Sequence, residues 1–472
     1  MMPRQHFVLY LGSRGVAAAL NLVSVAVFAR LAGPEIYGHY LLVAAWAMIV
    51  FGFSAQWACA AFFATYSEHH AENHIASFVL LIVGVLTAFG LGAIGAGLFG
   101  SVDAPFLAAL FAMATGLTMF EAAIDVARTR LESGRVATSV LLRAVATLTI
   151  GVTAIAWEGT ATALALAVAA ANVLASLPCL FRYIPYVWRQ ASVITAGHLF
   201  RYGWPLILAF GVSALGQNID RLFLGAWIGT RELGPYGAIS DLIKQTFFVV
   251  GESISLAFVS LAKRSATAGD HAHAAAVLET AFTSLVAVAA FGAAFFLCFG
   301  PFIFTLVFGP DFARLAAGYF PILVLGNVFL TLRSFYFSQV IYFSESSRLE
   351  LWVSTVTLAV SAALSALLIP RIGTLGAAIS LLAGQATACV AFAIMGRRAY
   401  HLPVPIRRGL AIFALVGGFL LVATLVDRAA PTPLIAQAIN VTLLAASALF
   451  AVRRFKLFGL HDVGAVNLLA VR

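Results

Sequence analysis

Charged and amide side chains stand inside long apolar stretches of this chain, and they are the residues with chemistry to offer. A charge at bilayer depth costs about 2.5–3.5 kcal/mol on insertion scales, so each needs a partner or a polar cavity. Arg14 and Asn21 lie two turns apart on one face of the first apolar stretch. Arg14 suits phosphate oxygens, which a guanidinium grips bidentately; its alternative is to snorkel to the interface. Arg333 falls near the middle of a later stretch, where snorkelling is difficult, so it either meets substrate or pairs with a carboxylate. Glu121, Asp125 and Arg128 share a helix face, and Arg143 on the next stretch could neutralise one of the acids. They read as a structural ion-pair cluster or as a site that takes up a proton or a cation such as Na+.

Two further stripes follow. Ser213, Gln217 and Asp220 recur at i, i+4 and i+7, a polar face unsuited to lipid, and Asp241, Lys244 and Glu252 form another. Asp220 and Lys244 fall at comparable heights of one helical hairpin, as a salt bridge holding it or as a gate that breaks. The deep cations Arg14, Arg143, Lys244 and Arg333 face the acids Glu121, Asp125, Asp220, Asp241 and Glu252. A cationic cavity would therefore have to arise from arrangement. His70 and His74 are four apart, but no third fixed ligand is evident, so no metal site is expected. The cysteines Cys59, Cys179, Cys298 and Cys389 are far apart in apolar runs and read as packing residues.

The elements that must hold these groups are membrane spans. Hydrophobic residues make up 62% of the 472 residues, charged residues only 10%, and mean hydropathy is +0.99. A soluble fold cannot hide that much apolar surface. At about 20 residues per span, the pattern gives about fourteen helices, near 8–31, 40–63, 75–100, 105–126, 136–157, 160–181, 203–228, 236–261, 277–300, 319–343, 350–369, 374–396, 409–427 and 434–452. The first of them reads as a retained helix, since no small-residue cleavage site follows it. Gly92, Ala96 and Gly100 form a small-residue stripe suited to close helix packing.

The net charge of +9 is explained by topology rather than nucleic-acid binding. With the N-terminus in the cytoplasm, Arg4, Arg128, Arg130, Arg135, Arg182, Arg189, Arg201, Lys263, Arg264, Arg348, Arg397, Arg398, Arg407, Arg408, Arg453, Arg454, Lys456 and Arg472 fall inside. Only Arg231, Arg314, Arg371 and Arg428 fall outside. That asymmetry is what the positive-inside rule demands, and it places both termini in the cytoplasm.

An internal duplication is also visible. Leu31-Ala32-Gly33-Pro34-Glu35-Ile36-Tyr37-Gly38 is answered by Leu233-Gly234-Pro235-Tyr236-Gly237, both in outward turns. Leu131-Glu132-Ser133-Gly134-Arg135 is answered by Ser344-Glu345-Ser346-Ser347-Arg348, both in inward turns. The expected architecture is all-α and polytopic: an N-lobe over 1–182, a cytoplasmic linker over 183–202 and a C-lobe over 203–396. The lobes are parallel, pseudo-symmetric six-helix repeats, and residues 397–472 add two C-terminal helices and a tail.

Ala29–Tyr40, Asn218–Gly225, Val307–Phe312 and Leu368-Ile369-Pro370-Arg371-Ile372-Gly373-Thr374-Leu375-Gly376 resemble the polysaccharide transporter (oligosaccharide flippase) family. That family sits within the multidrug, oligosaccharidyl-lipid and polysaccharide exporter superfamily. The resemblance implies a bacterial inner-membrane flippase for undecaprenyl-pyrophosphate-linked oligosaccharide, working by alternating access without a cofactor. It implies membrane lipid, and a polysaccharide polymerase with chain-length machinery, as partners. A lipid II flippase and a multidrug or cation antiporter are the near alternatives. A membrane-embedded glycosyltransferase or polymerase fits less well, because the longest outside connection, 301–318, is apolar and poor in acid–base residues.

Overall fold

The computed structural model describes residues 4–98, 100, 103–181, 190–343, 348–398 and 400–459, with the side chains of 4–14, 342, 348, 433 and 459 outside the description. The described residues form α-helices and short 3-10 turns. They are α1 Arg4–Ser54, α2 Gln56–Thr65, α3 Ala71–Leu98, α4 Ala104–Thr129, α5 Ser133–Glu158, α6 Ala161–Leu180, α7 Val193–Trp227 and α8 Thr230–Thr267. They continue as α9 His271–Phe308, α10 Pro310–Ala316, α11 Phe320–Phe335, α12 Arg348–Ile372, α13 Thr374–Met395, α14 Ile406–Ala429 and α15 Pro433–Phe455.

Among the described residues, thirteen helical stretches are long and apolar enough to cross a membrane. The first needs dividing. At 51 residues α1 would be about 76 Å long, against about 30 Å of hydrocarbon. Gly33 supplies the break, with φ 73° and ψ 173°, a conformation that only glycine adopts without strain. Pro34 follows at the start of the second arm, where its missing N–H costs nothing. Counting both arms gives fourteen spanning segments, in agreement with the hydropathy reading. The expected loop between the first two spans is instead a kink.

Other ends follow local chemistry. Gly159, at φ 62°, stops α5, and Thr160 then caps α6 by accepting from Ala163 N at 3.2 Å. Ser192 caps α7 in the same way. This corrects the expected linker: the helix begins at Val193, ten residues before 203, and Pro205 lies inside it. The segment before α7 is tied to the start of α3, where Asn73 donates to the Gln190 carbonyl at 2.9 Å and accepts from Thr195 Oγ1 at 2.7 Å. The expected 301–318 connection is also mostly helix, formed by the end of α9 and by α10.

Apolar side chains point outward as lipid requires: Leu98, Trp157 and Leu434 are among the most exposed residues, while Asn172, Asn327 and Gln385 are buried. Small residues let helices approach closely. A Cβ at Gly116 of α4 would stand 2.6 Å from the Ala169 carbonyl of α6. The expected stripe does not serve this purpose, because a Cβ at Gly92 of α3, or at Gly100 beyond its end, would meet nothing within 4 Å. The chain forms two compact units. One comprises Met1–Ala238 with Val307–Leu315 and Ser361–Ala377; the other comprises Ile239–Leu306, Ala316–Val360 and Ala378–Arg472.

Candidate functional site

In the first unit, α1, α4 and α5 enclose a cavity of about 160 Å3 lined by Asn21, Phe120, Glu121, Arg128 and Arg143, with Ala17, Val140 and Ala144 as its apolar wall. Glu121 and Arg143 meet at 3.6 Å, an ionic contact too long for a hydrogen bond. The Arg143 guanidinium also lies 4.5 Å from the Phe120 ring centroid, so its charge is shared between carboxylate and π-face. One turn along α4, Arg128 donates to Asp125 at 3.2 Å. Arg128 Nε is buried without a hydrogen-bond partner among the described residues.

One carboxylate, Glu121, and two guanidiniums thus share the pocket with the Asn21 amide, and Asp125 pairs with Arg128 beside it. Displacing Arg143 frees Glu121 for a cation or proton. Alternatively, the Arg143 and Arg128 guanidiniums and the Asn21 amide can donate to an anionic oxygen. The expected cluster of Glu121, Asp125, Arg128 and Arg143 is therefore assembled, and Asn21 faces it. Arg14 belongs to the backbone of α1, but its side chain lies outside the described residues.

Arg333 sits in the second unit and is 8% exposed. Its Nη2 lies 3.6 Å from Glu350 of α12, and its Nη1 donates to Gln385 of α13 at 3.3 Å. Glu350 also accepts from Ser354 at 3.2 Å, while its second oxygen is buried without a hydrogen-bond partner among the described residues. Of the two roles open to Arg333, the geometry supplies the carboxylate partner. Neither Glu350 nor Gln385 stands out in the sequence, because Glu350 falls at the edge of an apolar stretch and Gln385 is uncharged.

The stripe on α7 divides. Gln217 is exposed and turns back on Ser213, whereas Asp220 is buried and accepts from Tyr236 of α8. On α8, Asp241, Lys244 and Glu252 are partly buried, with the Lys244 ammonium 5.4 Å from the Phe248 ring centroid. His74 Nδ1 lies 3.2 Å from the His70 carbonyl, which engages one ring nitrogen locally.

Neither a scan of protein-family profiles nor a search of curated proteins finds a match. Solved structures do match. The lipid II flippase MurJ, in an inward closed conformation, superposes with a TM-score of 0.74 at 13% identity, covering 95% of this chain and 99% of that one. An inward-facing multidrug resistance transporter of the MATE family and MOP superfamily gives 0.60 at 15% identity, covering 83% and 95%. A MOP superfamily transporter from Pyrococcus furiosus gives 0.51 at 16%, covering 83% and 93%. At such identities the likeness concerns architecture: the chain is an all-helical, multi-pass membrane protein with the fold of the MOP superfamily transporters.

Proposed function

We propose that the chain is a flippase that carries an undecaprenyl-pyrophosphate-linked oligosaccharide repeat unit from the cytoplasmic to the periplasmic leaflet of a bacterial inner membrane. It works by alternating access, with both termini in the cytoplasm, and serves surface polysaccharide synthesis. The supporting observation is the extent of the likeness to MurJ. The uncovered 5% of this chain is shorter than α14 and α15 together, so the match reaches into the two helices beyond the first twelve. The MATE likeness covers a smaller share.

The cavity at Glu121 and Arg143 fits a transporter better than an enzyme. Its described lining residues carry charges that can exchange partners and include no nucleophile paired with an oriented base. The same likeness favours a second reading, a substrate of the lipid II type, which shares the polyprenyl pyrophosphate and differs in the saccharide.

The test is deletion of the gene followed by analysis of lipid-linked intermediates by leaflet and by sugar. The proposal expects a cytoplasmic-leaflet oligosaccharide to accumulate, surface polysaccharide to fall and drug sensitivity to stay normal. Accumulation of a peptidoglycan precursor would support the second reading. Drug sensitisation with normal surface polysaccharide would refute both.

A further inference from the structure

Two turns of the duplicated motif meet in the first unit, and they do so through backbone. A Cβ placed on Gly38 would lie 1.8 Å from the Thr230 carbonyl oxygen and 2.8 Å from Gly234 N. A Cβ on Gly234 would lie 2.1 Å from the Pro34 carbonyl oxygen. The relation is reciprocal: each repeat brings a glycine against the other repeat's main chain. No rotamer change can relieve a clash with a carbonyl, so any side chain at either position forces the turns apart.

Both residues are helical, and alanine is about 1 kcal/mol better than glycine in a helix interior. Local backbone preference therefore works against glycine here, and the close approach accounts for it. More of the same end gathers into this unit. The segments Val307–Leu315 and Ser361–Ala377 belong to it, and Arg30 Nε donates to the Val307 carbonyl at 2.9 Å. Every one of these turns lies on the side that the charge count assigns to the outside.

We propose that the turns around Gly38 and Gly234 form the outer seal of the transport path, closed by main-chain contact that only glycine at those two positions permits. The inference rests on the proposed transport function and orientation. Opening to the outside then requires the Gly38 and Gly234 turns to separate, and an added methyl group biases the protein toward the separated state. Leu41 reports on the seal, because it is 4% exposed and its Cδ1 lies 2.4 Å from where a Gly237 Cβ would stand.

The experiment is labelling of Leu41→Cys in intact cells by a membrane-impermeant maleimide, with the unsubstituted chain as blank. Adding Gly38→Ala or Gly234→Ala should raise the labelling rate on the order of tenfold by shifting the population toward the open seal. Equal rates with and without the alanines overturn the proposal.

A second arm does not depend on the alanine variants folding. Cysteines at Glu35 and Arg231, which line one outer cavity, are bridged by a short cleavable bis-maleimide. Transport of the lipid-linked oligosaccharide should stop and should return when the linker is cleaved. Continued transport by the bridged protein overturns the seal. Faster Leu41→Cys labelling without any oligosaccharide transport in the parent would uphold the seal and sink the flippase reading instead.

Discussion

Tyr236 donates its hydroxyl to Asp220 Oδ2 at 2.5 Å, joining the second repeat's Gly-Pro-Tyr-Gly turn to the helix before it. Asp220 is 5% exposed and Tyr236 is fully buried. Tyr236→Phe removes the donor and leaves the carboxylate desolvated, a loss of about 1–3 kcal/mol. The expected result is a lower thermal unfolding midpoint in detergent, partly restored by adding Asp220→Asn, which removes the charge. A melt unchanged by Tyr236→Phe would show that the bond carries no stability.

Arg333 and Glu350 should behave as a coupled pair in which the arginine is buried and the carboxylate half-buried. Arg333→Leu alone strands the Glu350 carboxylate and should cost about 1–3 kcal/mol, whereas Arg333→Leu with Glu350→Leu should cost less. A double-mutant cycle on thermal stability measures the difference. If Arg333→Leu keeps full stability and abolishes transport, its main role is toward the substrate.

The cavity at Glu121 and Arg143 should matter to transport more than to folding. Both side chains are partly exposed to the cavity and their contact is loose, at 3.6 Å. Glu121→Gln is expected to lower flipping on the order of tenfold, the scale of a coupling free energy of about 1.4 kcal/mol, while the protein still folds. Flipping assays in vesicles with and without a pH or Na+ gradient identify the coupling ion. Insensitivity of flipping to both Glu121→Gln and Arg143→Gln would remove this cavity from the mechanism.

Orientation can be read with single cysteines. A cysteine at Ser67, in the turn between α2 and α3, should react with an impermeant reagent only after the cells are opened. A cysteine at Glu158, at the end of α5, should react in intact cells. The reverse pattern would invert the proposed topology.

Hydropathy made the spans legible because a bilayer leaves few ways to bury this much apolar surface. The ends were harder to see. His198, Arg201 and Tyr202 lower the apolarity of early α7, yet backbone hydrogen bonding carries the helix back to Val193, where Ser192 caps it. At Gly33 and Pro34 the residues that signal a break produce a kink, since one glycine dihedral suffices to redirect the chain. The charged cluster on α4 was legible from its helical spacing, and Arg143 from its place inside the next apolar stretch, where it needs a carboxylate partner. The ties to Gln385 and Tyr236 were not, because they depend on which helices become neighbours, and their uncharged side chains carry no signal along an apolar sequence.

The contact between Gly38 and Gly234 contains no side chain that could gain a proton, change redox state or attract counter-ions. Sensitivity to acidity or ionic strength must therefore enter through charged neighbours, Glu35 and Arg231 in the same turns or Glu121 and Arg143 in the other cavity. Residues lining a cavity could then be exchanged over evolution to suit a different cargo without retuning this joint.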